Sequence, residues 1–222
     1  MPRLPGLFDS FDNLDQITPE DIASWLKPVP DYKLLENYLA NKILYPQTRS
    51  LTEHDMQIDL SLLREVLKKN SPKPEAQKTN SLLGDNPFIN TTLRKILMPV
   101  GFLNFVPSLL SLVQVFIDAF LSKRQRQDYF QDLWTLVLTG DIDEVVGSVL
   151  LPQFDGSGGV MNFKIQNKDY QIRQGNLVLV PCPKGRCEIA YKLQKGKLLG
   201  RQENAFEVYG GKLGLVVDGR GV

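Results

Sequence analysis

The sequence is poor in the residues that most often carry chemistry. It contains one histidine and two cysteines among 222 residues. A structural zinc ion needs four nitrogen or sulfur ligands, and Cys182, Cys187 and the distant His54 supply only three. A Ser-His-Asp or Cys-His device would have to use His54, which falls in the polar first turn of a predicted helix. We therefore expect a surface histidine, no metal site and no catalytic residues.

An excess of charge of either sign is also absent. Lysine and arginine number 26 against 25 acidic residues, and the formal net charge is +1. This balance creates no global field that would attract nucleic acid or an anionic membrane. The start, MPRLPGLFDSFDNLD, lacks the apolar core of a secretory signal. We expect a cytoplasmic location and no nucleic-acid partner.

The first third of the chain contains three helix start signals. Thr18 precedes a proline, and Asp21 stands where the acid of a capping box belongs. Asp31 begins a second helical stripe, and Thr52 begins a third. The third helix is expected to bury Met56, Leu60, Leu63 and Leu67 and to expose Glu53, Asp59, Arg64 and Lys68.

A long apolar run spans Ile96–Leu121. No charge occurs in the 22 residues before Asp118, which is close to the roughly 20 residues that a membrane helix needs. Pro99, Pro107 and Gln114 interrupt the run, and polar groups are costly in lipid unless they find partners. We favour a buried helical pair over a membrane-associated segment. A helix over Asp128–Leu138 would continue the same layer.

From Val145 onward the hydrophobic period becomes two, which is typical of antiparallel strands separated by turn residues. Asn167-Lys168 and Pro183–Arg186 are the expected hairpin turns. The last apolar run, Leu213–Asp218, has apolar residues at both odd and even positions. We therefore expect this strand to be covered on both faces inside the β domain. The expected strands are Val160–Ile165, Lys168–Arg173, Asn176–Pro181, Arg186–Leu193, Ala205–Gly210 and Leu213–Asp218.

These patterns predict an α+β fold, with an N-terminal helical layer followed by an antiparallel β domain. The helical region is expected over residues 1–140, with a loop near 70–80, and the β domain over 141–222. Cys182 and Cys187 bracket a turn at a spacing that a disulfide could bridge. In the cytoplasm we expect buried thiols instead.

Two glycine-containing segments raise the question of nucleotide binding. The glycines of Phe154–Val160 lead into a strand, whereas a phosphate loop leads into a helix, so a turn is expected there. Gly84, Asp85 and Asn86 are the better candidate residues for holding a nucleotide. An ordinary strand-to-helix turn is the alternative for that segment.

Three segments resemble the glutamate mutase L family. They are WLKPVPDYKLLENYLANKILYPQT over Trp25–Thr48, VVGSVLLPQFDGSGGVMNFKI over Val145–Ile165, and VYGGKLGLVVDGRG over Val208–Gly221. The Y-L-A-N-K and G-G-x-L-G-L portions are the specific ones. The resemblance implies an actin/Hsp70/sugar-kinase-like ATPase fold and an accessory or reactivating role for a cobalamin-dependent mutase.

The resemblance covers the family's C-terminal half, and the D-x-G-x-T segments that hold ATP in this fold are not found in the sequence. The expectation is a partial family protein that is not an active enzyme alone and needs no cofactor, although a full-length relative would bind ATP. The alternative is a non-catalytic protein-interaction module, with residues 96–121 as a potential membrane contact.

Overall fold

The computed structural model describes Phe8 and residues 14–70, 95–120 and 132–220. The chain forms two compact units. The helical unit comprises Met1–Gln77 and Gly101–Phe120, and the β unit comprises Lys78–Val100 and Leu121–Val222. Each unit draws on two separate stretches of chain, whereas the sequence suggested a single boundary at residue 140. The α+β class is confirmed.

The described helices follow the start signals in the sequence. Thr18 and Asp21 form a reciprocal capping box, with hydrogen bonds of 3.1 and 3.3 Å. Thr52 and Asp55 form the same arrangement one helix later, with two bonds of 3.1 Å, and Asp31 caps the helix between them. The helices are α1 Pro19–Ala23, α2 Tyr32–Leu44, α3 Glu53–Asn70 and α4 Leu109–Phe120, with 3₁₀ turns at Leu14–Gln16 and Val100–Asn104.

Helix α3 is the central helix of its unit and contacts both α1 and α4. Leu60, Leu63 and Leu67 are buried as predicted. The prediction that Asp59 lies on a solvated face is wrong, because this residue is only 4% exposed. Its burial is tolerated because Lys42, from α2, is buried beside it and forms an ion pair with it.

The predicted buried helical pair over Ile96–Leu121 is wrong in its first half and correct in its second, where a buried helix forms. The run begins as strand β1, Lys95–Pro99, continues as a 3₁₀ turn and becomes helical only in α4. Proline explains the interruption, since it removes a backbone donor and restricts the residue before it. Within the described ranges, no helix combines the length and apolar character needed to cross a membrane.

The described strands after β1 follow the turn signals closely. Over its described residues, the predicted helix at Asp128–Leu138 is instead strand β2, whose Trp, Thr and Val residues suit a pleated sheet. The six strands predicted after Val145 are all confirmed to within a few residues. The strands are β2 Leu133–Thr139, β3 Glu144–Leu150, β4 Gln153–Phe154, β5 Val160–Ile165, β6 Lys168–Arg173, β7 Leu177–Val180, β8 Gly185–Gln194, β9 Gly196–Lys197, β10 Glu203–Gly210 and β11 Gly214–Asp218.

Two larger sheets build the β unit. One has the order β1-β2-β3-β11-β7, and the other has the order β10-β8-β5-β6. The second sheet is antiparallel as predicted. The first is mixed, because β1 runs parallel to β2 and β3 runs parallel to β11. The expected purely antiparallel domain is therefore corrected.

The two sheets share one hydrophobic core. Leu150, Val180 and Leu215 of the five-stranded sheet pack in the same cluster as Met161 and Ile189 of the four-stranded sheet. The arrangement is a β sandwich, with this core between the two sheets.

A serine links the two sheets directly. The Ser148 hydroxyl donates to the Tyr209 carbonyl oxygen at 2.9 Å and accepts from the Tyr209 amide at 3.0 Å. Ser148 belongs to β3 and Tyr209 to β10, so one side chain satisfies backbone groups of the opposite sheet.

Strand β11 occupies the position predicted for the last run. It lies between β3 and β7, and all five of its residues are buried. Apolar residues on both parities therefore signalled a strand covered on both faces.

Candidate functional site

The residues that the sequence suggested for nucleotide binding, Gly84, Asp85 and Asn86, lie outside the described residues, so this interpretation stays a prediction. His54 is exposed in the first turn of α3, as expected.

The glycine-rich segment Phe154–Val160 leads from β4 into β5, which confirms the predicted turn. Over the ranges that the structure describes, no group of three or more histidine, cysteine or acidic side chains could hold a metal ion.

The helical unit contains a buried polar cluster around Asp59. One carboxylate oxygen, Oδ2, accepts from Lys42 Nζ at 2.8 Å and from the Ser50 hydroxyl at 2.6 Å. The other, Oδ1, accepts from the Tyr38 hydroxyl at 2.9 Å. Lys42 also donates to the Thr48 carbonyl oxygen at 2.7 Å.

The hydrogen bonds of this cluster stabilise the connection between α2 and α3. Burial, with the neighbouring Asp59 carboxylate, raises the pKa of Tyr38 far above its ordinary value, so Tyr38 stays a neutral donor. Both carboxylate oxygens of Asp59 are engaged inside the protein. The adjoining cavity, of about 140 Å³, is lined in part by Arg49, Ser50 and Phe105. We assign the cluster to folding rather than to ligand binding.

A larger cleft of about 490 Å³ opens in the β unit. It lies where β6 and β7, the end strands of the two sheets, approach the segment that enters β11. We call it the β6–β7 cleft. Its lining consists of Ile165, Gln166, Lys168, Tyr170, Leu179, Pro181, Cys182, Pro183, Gly211, Lys212, Leu213 and Gly214.

The lining combines apolar surface with a basic rim. Leu179 is 42% exposed, and Tyr170 stacks on Phe163 with ring centroids 5.4 Å apart. Lys168 and Lys212 are both exposed at the cleft. Such a surface suits a ligand or peptide that has both an apolar part and negative charge.

The basic rim carries net positive charge. Glu144 accepts from Lys212 Nζ at 2.7 Å, and Lys184 Nζ lies 3.7 Å from the same carboxylate. The hydrogen bond from Lys212, with the charge of Lys184, lowers the pKa of Glu144. One carboxylate thus faces two lysines. Lys168 forms no ion pair with any described residue, so it adds a further uncompensated charge.

Cys182 lines this cleft and Cys187 contacts Cys182, and both are thiols. Cys182 and Cys187 are both buried and free, as predicted. The predicted hairpin at Pro183–Arg186 is wrong, because β7 pairs with β11 whereas β8 pairs with β5 and β10. The connection therefore passes from one sheet of the sandwich to the other. Burial, with the contact to Cys187, raises the pKa of Cys182 to about 12.

Sequence reasoning did not single out the cleft residues. Lys168 and Tyr170 lie on the same face of β6 as the buried Ile172, because side chains two residues apart in a strand share a face. This spacing could have indicated from the sequence that they face inward. The cleft forms only because the chain brings Leu179 and Gly211–Gly214 together through the pairing of β7 with β11. Pairing partners so far apart in sequence cannot be deduced from local patterns.

No family description, curated protein or solved structure matches this chain.

Proposed function

We propose that this chain is a protein-interaction module that binds a partner in the β6–β7 cleft. One observation carries the proposal. The segment Gly211–Gly214, from one of the two specific family-like motifs in the sequence, lines a cleft of about 490 Å³ in the β unit together with exposed Leu179 and two lysines. An apolar surface rimmed by polar residues is the usual form of a binding site.

The scaffold supports such a role because it packs two backbone segments of the cleft wall closely together. Gly214 has φ of +87°, and a Cβ atom there would lie 2.5 Å from the Val180 carbonyl oxygen. The backbone of β11 therefore approaches the end of β7 more closely than any side chain would permit. The GGKLG pattern fits the formation of this wall.

The experiment is site-specific photocrosslinking in cells that express the chain. A photoreactive amino acid replaces Leu179 in the cleft, and a matched control carries it at Leu51, which is 92% exposed in the helical unit. A defined protein should crosslink from position 179 and not from position 51. The purified pair should then bind, and Lys168→Glu should weaken the complex. No cleft-specific adduct, or binding indifferent to Lys168→Glu, would contradict the proposal.

A narrower proposal names the partner as a cobalamin-dependent mutase, with the chain in an accessory or reactivating role as a glutamate mutase L-like protein of the actin-like ATPase class. What supports it is the order of the three resembling segments and the position of GGKLG in the cleft. Calorimetric titration of the chain with purified mutase subunits from the same source tests it. Absence of binding would reject the mutase and leave the broader proposal in place.

A further inference from the structure

Strand β7 is an edge strand with an apolar sequence, Leu-Val-Leu-Val. Among the described strands it pairs with β11 on one side and with nothing on the other. Val180 is buried, but Leu177 and Val178 are half-buried and Leu179 is 42% exposed. An apolar edge strand is a ready template for pairing with another strand, and proteins ordinarily shield such edges.

The alternation of hydrogen-bonded pairs between β7 and β11 shows which backbone groups of β7 face the open edge. The Gly219 amide donates to the Asn176 carbonyl oxygen at 2.8 Å, immediately before the paired residues Leu177 and Asp218. Hydrogen-bonded and non-hydrogen-bonded pairs alternate along an antiparallel ladder. Val178 and Val180 therefore direct their backbone groups toward β11, and Leu177 and Leu179 direct theirs toward the open edge.

We propose that β7 takes up an extended acidic peptide of a partner protein as an added strand. This inference rests on the proposed function and names the chemistry that the cleft recognises. The backbone groups of Leu177 and Leu179 would pair with the peptide, which is the mode by which exposed sheet edges bind extended segments. The cleft beside them would receive the peptide's side chains.

Charge complementarity selects an acidic occupant and its orientation. Lys168 and Lys212 line the cleft with Pro181, beyond the end of β7 that carries Val180. A peptide antiparallel to β7 places its N-terminal residues at that end. The recognised sequence is therefore a short run of acidic residues followed by alternating β-branched residues. A second copy of β7 fits less well, because antiparallel pairing would bring the lysines near Arg173, an exposed cation at the other end of β7.

The test uses a fluorescein-labelled peptide with N-terminal glutamates followed by alternating valine and threonine, matched in length to the four residues of β7. The comparison peptide has lysines in place of the glutamates. Fluorescence anisotropy with the full chain should show about tenfold tighter binding of the acidic peptide at low salt. The preference should shrink as ionic strength rises.

Two variants probe the mode of binding. Leu179→Pro removes an amide that the β7–β11 ladder does not use, so the protein should stay folded and lose the peptide. Lys168→Glu should weaken the acidic peptide only, and the control Lys164→Glu, an equal charge change at an exposed β5 position outside the cleft lining, should have little effect. Hydrogen exchange supplies a direct readout, because binding should slow the Leu177 and Leu179 amides.

The outcomes separate the two levels of proposal. A cleft-specific protein partner without any preference for the acidic strand peptide, or without slowed exchange at Leu177 and Leu179, overturns the added-strand inference and leaves the proposed function standing. If Leu179→Pro turns a dimer into a monomer and no peptide binds, the occupant is a second copy and the inference is wrong. If neither peptide nor cleft-specific partner binds, both proposals fail.

Discussion

Lys42 and Asp59 form a buried ion pair of 2.8 Å between α2 and α3, with side chains only 4% and 6% exposed. Each charge is further compensated, since Lys42 donates to the Thr48 carbonyl oxygen and Asp59 accepts from Tyr38 and Ser50. The residues that join α2 to α3 are therefore held by polar bonds as well as by apolar packing.

Removing one partner of this pair should be strongly destabilising. Asp59→Ala leaves a buried ammonium group without its counter-charge, a change that typically costs about 3–5 kcal/mol. Urea unfolding of the full chain, followed by circular dichroism, measures the loss.

The double variant Lys42→Met, Asp59→Leu supplies the control for this prediction. It removes both charges together, so it should be less destabilising than Asp59→Ala alone. Equal losses in the two proteins would mean that the hydrogen bonds from Tyr38 and Ser50, rather than the uncompensated charge, determine the effect.

The burial of Asp59 is a feature that the sequence did not predict. Helical spacing located α3 and three of its buried leucines, but it placed Asp59 on the solvated face. The missing information was the position of Lys42, 17 residues earlier. A polar residue on a helix is normally exposed, and only a partner from another element makes its burial tolerable.

In the β unit, strand prediction succeeded where side chains alternate and turn residues mark the ends, as in β5, β6 and β8. It failed for β1 and β2, which lie in or just after a long apolar segment where helix and strand periods cannot be separated. The β6–β7 cleft depends on the pairing of β11 with both β3 and β7. Local patterns carry no information on such pairing, although they did predict that β11 is covered on both faces.

Gly214 and Gly175 give a matched test of close backbone approach. Their φ angles are +87° and +90°, so alanine is strained at either site, but only Gly214 has a neighbour, Val180 O at 2.5 Å from the Cβ position. Gly214→Ala should therefore be more destabilising than Gly175→Ala by about 1–3 kcal/mol, the usual cost of overpacking. Thermal and urea unfolding of the two variants check this. Equal losses would show that β11 shifts freely away from β7.

The Cys182 thiol should resist alkylation in the folded protein. Its pKa is raised from 9.0 to about 12, chiefly by burial, and the thiolate is the reactive form. With iodoacetamide at pH 8, Cys182 should stay unmodified in the folded chain while glutathione reacts, and urea should expose both cysteines. Cys187→Ser should lower the pKa of Cys182 only in part, because burial remains. Native modification at the glutathione rate would contradict the prediction.

The same shift predicts the direction of a pH effect on stability. The folded state keeps the Cys182 proton to higher pH than the unfolded state does, so it binds more protons between about pH 9 and 12. The contribution is complete below pH 9 and is lost as pH rises toward 12. Urea midpoints of the wild-type chain should therefore fall more steeply above pH 9 than those of Cys182→Ala.

Asp132 should prove one of the most sensitive polar positions in the β unit. Its side chain is fully buried, and its carboxylate accepts from the Leu199 amide and from Gln153 Nε2, both at 2.9 Å. Asp132→Ala leaves both donors unsatisfied, and hydrogen bonds to charged groups contribute about 1.5–3 kcal/mol each. Asp132→Asn should be nearly as damaging, because its amide NH₂ would face one of the two donors. Gln153→Ala should be less destabilising, since the bond from Leu199 survives.

Chemical unfolding measures the loss of stability in the three variants. Hydrogen exchange should accelerate at the Leu199 amide in both Asp132 variants but not in Gln153→Ala. Unchanged exchange at that amide in Asp132→Ala would mean that the carboxylate does not hold the turn after β9.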